Sequence, residues 1–98
     1  MIRLVKMTFK EEHIEDFKSL FESIKQKIIA CEGCEHLELL KDNNRGVFFT
    51  YSKWQDDTFL EKYRTSELFT ATWQKIKPWF ADKPDAWSID SPLIVEKI

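Results

Sequence analysis

Two cysteines and a histidine form the first group whose residue types could do chemistry, in the order Cys31-x-x-Cys34-x-His36. A C-x-x-C pair can be a redox couple or half of a metal site. Reactive pairs lie at a helix N-terminus, where the helix dipole stabilises thiolate, whereas this pair follows a predicted helix and lies at its C-terminus. The three side chains supply at most three soft ligands, and no second C-x-x-C or H-x-x-x-H provides a fourth. The spacing therefore favours cysteines that pack as small apolar residues over a redox role, and predicts no metal site.

The two histidines are the side chains that titrate near neutral pH without help. His13 lies in an acidic stretch of a predicted helix, where we expect it to be solvated. His36 lies on a predicted strand, on the face opposite Leu37 and Leu39, and could line a cavity. We therefore keep His36 as a substrate-binding candidate.

Aromatic residues concentrate in the second half of the chain. The set comprises Tyr51, Trp54, Phe59, Tyr63, Phe69, Trp73, Trp79, Phe80 and Trp87. Most of them are expected in the core, but buried Trp and Tyr also need hydrogen-bond partners. Several of them converging between sheet and helices would form a flat slot suited to an aromatic ligand. Core packing and a ligand slot both remain open at this point.

Other classes of function find no support in the sequence. No nucleophile elbow, phosphate loop or dinucleotide fingerprint is present, so hydrolysis and phosphoryl transfer are not indicated. The 15 basic residues do not outnumber the 17 acidic ones, and the formal charge is −2. This balance argues against a nucleic-acid or anionic-membrane partner. No stretch has the length or pattern of a signal peptide or membrane span, which predicts a cytoplasmic protein.

Hydrophobic periodicity predicts the elements that must position these residues. They are a strand over 2–9, a helix over 12–31, strands over 36–40 and 47–52, a short helix through 63, a helix from 66 to about Pro78, and a strand over 87–95. This β-α-β-β-α-β order predicts one α+β domain over residues 1–98, with a ferredoxin-like sandwich fold.

Local signals predict where the helices begin and end. Gly33 suits a helix C-cap, because glycine enters the left-handed conformation at low cost. Thr58-x-x-Glu61 fits a capping box, with Asp56 and its neighbours offering further N-cap side chains. Ser66, with Thr65, can cap the next helix.

The third predicted strand begins with three apolar residues in succession, Val47-Phe48-Phe49. Both faces of that strand therefore require burial. Because one layer of helices covers one face, we expect a second copy of the chain to cover the other, which predicts a homodimer.

Trp54 directly after the third strand, the run from Phe59 to Phe69 and the stretch from Gly33 to Leu39 carry a resemblance to a known family. Together with the order of elements, they resemble the antibiotic biosynthesis monooxygenase-like family over essentially the whole chain. The resemblance implies a dimeric α/β barrel, in which two ferredoxin-like sheets pack together.

At its most specific, the resemblance implies a monooxygenase that needs no cofactor and oxidises quinols or anthrone-like polyphenols with molecular oxygen. Haem-degrading relatives use an Asn on the first strand and a His on the late helix, and neither is present here. The partners that the resemblance implies are a small aromatic molecule and oxygen.

The resemblance also suggests roles for particular side chains. Tyr63, Trp54 and Arg64 are the catalytic candidates, with Arg64 or His36 steadying developing negative charge. The substrate-binding candidates are His36, Tyr51, Phe69 and Trp73. Two alternatives stay open: a non-catalytic module that binds a small aromatic ligand in the same slot, and a dimerisation domain without a ligand.

Overall fold

An antiparallel sheet with helices on one face accounts for residues 1–90, the part of the chain that the computed structural model describes. The strands are β1 (Ile2–Thr8), β2 (Cys34–Lys41), β3 (Val47–Trp54) and β4 (Asp85–Ile89), in the sheet order β2-β3-β1-β4. The helices are α1 (Ile14–Ile29), α2 (Asp57–Arg64) and α3 (Glu67–Ile76), with 3-10 turns at Glu11–His13 and Lys77–Trp79. The predicted α+β, ferredoxin-like order is therefore confirmed. None of these helices has the length and apolar character needed to cross a membrane.

Successive side chains of β1 lie on opposite faces of the sheet. Met7 and the following Phe9 are buried on the face that carries the helices, and Val5 packs against the same cluster. Phe17 of α1 and Phe48 of β3 complete the centre of this core. The aromatic rings of Phe9 and Phe17 stack with centroids 4.1 Å apart, which fixes α1 against the sheet.

β3 divides its side chains between the two faces. Phe48 is buried against the helices, and Trp54 lies on the same face by the strand's period of two. Tyr51 lies on the other face, in register with Leu4 of β1, which in turn faces Trp87 of β4. We call this second surface the open face; its members include Trp87 and Ile89, which are 44% and 46% exposed.

The first helix is shorter than its sequence predicts. α1 ends at Ile29 with Ala30 as its C-cap, so Cys31 lies beyond the helix. Gly33 does adopt a positive φ of 81°, but in the turn that leads into β2. A Cβ atom at that position would overlap the ring of Phe59, so the turn also requires glycine for close packing against α2.

The predicted capping box at the start of α2 is wrong, whereas the predicted N-cap of α3 is confirmed. The capping box from Thr58 was wrong: Asp56 caps α2, and its Oδ1 accepts from the backbone N–H groups of Thr58 at 2.8 Å and Phe59 at 3.4 Å. The helix begins at Asp57, so Asp56 occupies the N-cap position and Thr58 already lies within the first turn. Ser66 caps α3 as predicted, since its Oγ accepts from the N–H of Phe69 at 3.2 Å.

The end of α3 and the start of β4 also differ from the predicted bounds. α3 ends at Ile76 and Pro78 lies in the 3-10 turn that follows, as expected for a residue without a backbone donor. β4 begins at Asp85, two residues before the predicted start, and pairs with β1 through Ile89. The predicted continuation over 91–95 lies outside the described residues.

Candidate functional site

A cavity of about 350 Å³ lies between the helix-bearing face of the sheet and the three helices. Apolar side chains supply most of its wall, among them Met7 of β1, Ile24 of α1, Leu60 of α2 and Ile76 of α3. A cavity of this size and character suits a small, largely apolar molecule.

Four of the aromatic candidates meet along one side of this cavity. Trp54 stacks on Tyr63 with ring centroids 5.0 Å apart and planes 22° apart. Tyr63 meets Phe69 edge to face at 5.3 Å, and Phe69 lies nearly parallel to Trp73 at 5.8 Å. We call these four residues the aromatic wall. It joins the end of β3 to α2 and α3, so residues distant in sequence form one surface.

Trp54 is the most enclosed member of the aromatic wall, with 1% of its surface exposed. Its indole Nε1 donates to Ser52 Oγ at 3.0 Å, and that hydroxyl donates in turn to the carbonyl of Arg3 at 3.4 Å. The polar atom of the indole is therefore satisfied within the protein. Trp54 provides a rigid apolar surface rather than a group that can exchange protons.

Tyr63 lies at the centre of the aromatic wall with its ring mostly buried. Burial raises the pKa of its phenol far above the usual range, and nearby Cys31 and Cys34 act in the same direction. Its hydroxyl therefore remains protonated at neutral pH. In the cavity this group can donate a hydrogen bond but is not a base.

Two arginines border the same cavity. Arg64 ends α2, and its Nη1 lies 3.3 Å from Glu61 Oε2 in a partly exposed ion pair. Arg3 comes from β1, on the face that carries Val5 and Met7, and its Nη1 donates to Ser88 Oγ at 2.9 Å. Arg3 was not among the sequence candidates. Strand alternation with Val5 and Met7 is the signal that could have identified it.

His36 and Tyr51 do not reach this cavity. Both lie on the open face, where their rings meet edge to face at 6.1 Å. His36 Nε2 lies 3.1 Å from Glu38 Oε1 and its side chain is 46% exposed. The structure thus brings five of the seven sequence candidates together, namely the aromatic wall and Arg64, and separates these two from them by the thickness of the sheet.

The cysteines are free thiols beside the turn that precedes β2. Cys31 Sγ lies 3.3 Å from the Lys27 carbonyl, and Cys34 Sγ lies 3.8 Å from the His36 carbonyl. Burial raises the pKa of both thiols. Within residues 1–90, no three His, Cys, Asp or Glu side chains are grouped so that they could hold a metal ion.

His13 is less solvated than its acidic neighbours suggest. Its ring stacks on Trp79 with centroids 5.4 Å apart, and Nδ1 lies 2.9 Å from Asp16 Oδ2. It helps to hold the start of α1 against the 3-10 turn after α3.

Solved structures with the same fold come from several sources. A conserved protein from Methanosarcina mazei has a TM-score of 0.81 and 21% identity, with 87% of this chain and 86% of that chain covered. A protein from Nitrosomonas europaea, provisionally named an antibiotic biosynthesis monooxygenase, has a TM-score of 0.84 and 15% identity, with 95% and 98% covered. A third structure, named antibiotic biosynthesis monooxygenase, has a TM-score of 0.85 and 20% identity, with 94% and 99% covered. At these identities the likeness shows the fold.

Sequence comparison adds the family. No curated protein matches the chain. The sequence model described as antibiotic biosynthesis monooxygenase matches residues 1–75, a stretch that contains the whole aromatic wall and both cavity arginines. Because this match spans well over half of the 98 residues, the chain belongs to the antibiotic biosynthesis monooxygenase family.

Proposed function

We propose that the protein is a cofactor-independent monooxygenase that oxidises a quinol- or anthrone-type aromatic substrate with molecular oxygen. The observation that carries the proposal is the composition of the cavity: an aromatic wall with one protonated phenol, Tyr63, and a guanidinium, Arg64, at its border. Family membership supports oxidation by a monooxygenase, and the cavity supports an aromatic substrate.

The reaction requires the protein to stabilise negative charge on the substrate. For an anthrone, the ring CH₂ becomes C=O; one oxygen atom of O₂ enters the product and the other leaves as water, which balances the four electrons lost by carbon. The substrate becomes reactive towards O₂ once it has lost a proton to solvent water, because its anion can give up an electron; both hydrogens of the CH₂ group end in the water that is formed. Hydrogen-bond donors placed at the substrate oxygen favour that anion most strongly in a site that excludes water.

Each residue of the aromatic wall has a role in this proposal. The Tyr63 hydroxyl donates a hydrogen bond to the substrate oxygen, and Arg64 adds positive charge near that oxygen. Trp54 braces the Tyr63 ring by stacking at 5.0 Å. Phe69 and Trp73 orient the substrate ring and keep water away from it.

The experiment is oxygen uptake by the purified protein with a panel of quinols and anthrones. We expect uptake above the autoxidation baseline, with turnover lowered about 100-fold or more by Tyr63→Phe, as for the loss of one oxyanion donor. Tyr51→Phe is the matched control, because it removes the other tyrosine hydroxyl of the chain, which lies on the open face. Equal loss of turnover in both variants, or none in Tyr63→Phe, would contradict the assigned role.

The open face supports a further part of the proposal, a homodimer formed by two sheets. Leu4, Tyr51 and Trp87 form one row across this face, and Ile2 and Ile89 are paired beside it. An apolar sheet surface of this kind is stabilised by burial against another layer. Light scattering at micromolar concentration should give twice the chain mass of 11.8 kDa, and Trp87→Glu should shift the protein towards a monomer. A monomer for the unmodified chain would refute the pairing.

One observation favours a second candidate, a non-catalytic module that binds a small aromatic molecule. The ionisable side chains among the described cavity residues are Arg3, Tyr63, Arg64 and Asp85, so no histidine is present to accept a substrate proton. Tight binding of a quinol or anthrone without oxygen uptake would identify this function.

A further inference from the structure

Arg3 occupies an unusual position for a charged residue. It lies on β1, an inner strand of the sheet, and on the face that forms the core. Its register neighbours are Ser52 on β3 and Ser88 on β4, so small hydroxyl residues flank it on both sides. The contact with Ser88 Oγ at 2.9 Å uses one of the five N–H donors of the guanidinium.

The two arginines at this end of the cavity differ in their pairing. Arg64 is paired with Glu61 at 3.3 Å, whereas no ion pair to Arg3 occurs among residues 1–90. Asp85 also borders the cavity, but it is in register with Lys6, whose side chain belongs to the open face. Arg3 is therefore the cavity cation without an ion-pair partner among the described residues.

The environment of Arg3 makes an anion favourable at this place. Burial and the positive charge of Arg64 both lower the pKa of the Arg3 guanidinium, while Glu61 acts in the opposite direction. An arginine remains protonated under such conditions. Because the side chain is also partly buried, its positive charge is partly removed from water. A partly desolvated cation costs free energy until an anion pairs with it, and guanidinium binds carboxylate with particular strength because two parallel N–H donors can meet two oxygens.

The charged end of the cavity adjoins the aromatic wall. Arg3 connects to Trp54 through Ser52, whose hydroxyl bonds both the Arg3 carbonyl and the indole. Arg64 directly follows Tyr63 in α2. We propose that the ligand of this cavity is an aromatic acid, whose ring lies against the aromatic wall and whose carboxylate binds between Arg3 and Arg64. This inference rests on the proposed function in taking the cavity as the substrate site, and it names the class of substrate.

The test measures binding separately from oxidation. Titration calorimetry at pH 7 would compare 2-naphthoate with the neutral isostere 2-naphthamide and the smaller neutral analogue 2-naphthol. We expect 2-naphthoate to bind about 10- to 100-fold more tightly than either neutral compound, the range for a charge-assisted hydrogen bond. Arg3→Gln should remove most of that preference and leave the affinity for 2-naphthamide unchanged.

Matched variants keep the test interpretable. Arg45→Gln removes an arginine whose Nε pairs with Glu11 at 3.1 Å outside the cavity, so the preference for 2-naphthoate should persist. If Arg3→Gln does not fold, Arg3→Lys keeps the charge but loses the forked geometry and should weaken 2-naphthoate binding by less than Arg64→Gln does. Thermal unfolding of each variant would establish that it folds.

The outcomes distinguish this inference from the proposed function. Equal affinity for 2-naphthoate and the neutral compounds would overturn the inference, and so would a preference that persists in both Arg3→Gln and Arg64→Gln. Oxygen uptake with neutral quinols in that case would leave the monooxygenase proposal standing. An Arg3-dependent preference for 2-naphthoate without oxygen uptake from any quinol or anthrone would support the acid site and reject the enzyme.

Discussion

The turn at Gly33 couples the stability of the fold to the shape of the cavity. Gly33 has a φ of 81°, and a Cβ atom there would overlap both Cβ and Cγ of Phe59. Phe59 lies in α2, four residues before Tyr63, so a displacement of Phe59 would move the aromatic wall. The substitution Gly33→Ala therefore tests the packing that positions the site.

Two terms set the size of the effect. A non-glycine residue in the left-handed conformation costs about 1–2 kcal/mol. Overpacking adds about 1–3 kcal/mol, because Cβ of Phe59 is fixed by the α2 backbone and cannot rotate away. The expected loss is about 2–5 kcal/mol, which lowers Tm by roughly 8 °C or more at about 4–8 °C per kcal/mol for a domain of this size.

Urea unfolding of a double-mutant cycle separates the two terms. Phe59→Ala removes Cγ and the ring, so Gly33→Ala should cost at least about 1 kcal/mol less in that background than in the unmodified chain. Gly46→Ala is the control: its φ is 88° and its Cβ would lie 2.8 Å from the Phe9 carbonyl oxygen, so its cost should not depend on Phe59. The same cost for Gly33→Ala in both backgrounds would refute the packing argument.

Three further predictions concern caps and ionisation. Asp56→Ala should lower the free energy of unfolding by about 1 kcal/mol because α2 loses its N-cap, whereas Asp56→Asn should cost less in urea unfolding. Burial raises the pKa of Cys31 and Cys34, so iodoacetamide should modify both more slowly at pH 7.5 than it modifies free cysteine; equal rates would contradict the burial. Burial raises the pKa of Tyr63 in the folded chain, so the protonated phenol contributes fully to stability below about pH 10, the usual pKa of tyrosine. Above that pH the unfolded chain loses the phenol proton first, and the free energy of unfolding falls. The unfolding free energy of Tyr63→Phe should therefore fall less steeply above pH 10 than that of the unmodified chain, and equal slopes would contradict the burial of the phenol.

The fold was largely predictable because the spacing of apolar residues along the sequence indicates which residues form the core. The apolar stripe through Phe17 on α1 and the alternation of Val5, Met7 and Phe9 on β1 can be read from neighbouring residues, and these residues lie in or against the core. Element ends were less predictable, because they depend on single hydrogen bonds. Asp56 rather than Thr58 caps α2, because the helix begins at Asp57, and periodicity does not encode that starting residue.

The lining of the candidate cavity was predictable in part, and the misplaced residues differ in the face of the strand that they occupy. Trp54 and Tyr51 are three residues apart on β3 and therefore lie on opposite faces, although both are aromatic. Because the candidates were chosen by residue type, Trp54 and Tyr51 were assigned to the same predicted site. The same reasoning missed Arg3, because an arginine on a strand is usually solvated, and only the placement of α1, α2 and α3 turns its face into the wall of a cavity.

The register of β3 links the proposed activity to the proposed pairing. A shift of one residue would move Trp54 and Ser52 to the open face and bring Tyr51 to the cavity. The hairpin before β3 prevents such a shift: Gly46 holds a positive φ, and its carbonyl accepts from the Phe9 N–H at 2.8 Å. At the other end of the strand, the Trp54 N–H donates to the Met1 carbonyl at 2.9 Å. Since both ends tie β3 to the β1 segment, the aromatic wall and the apolar rows of the open face are fixed by the same hydrogen bonds, and a change that loosens either end should disturb substrate binding and subunit pairing together.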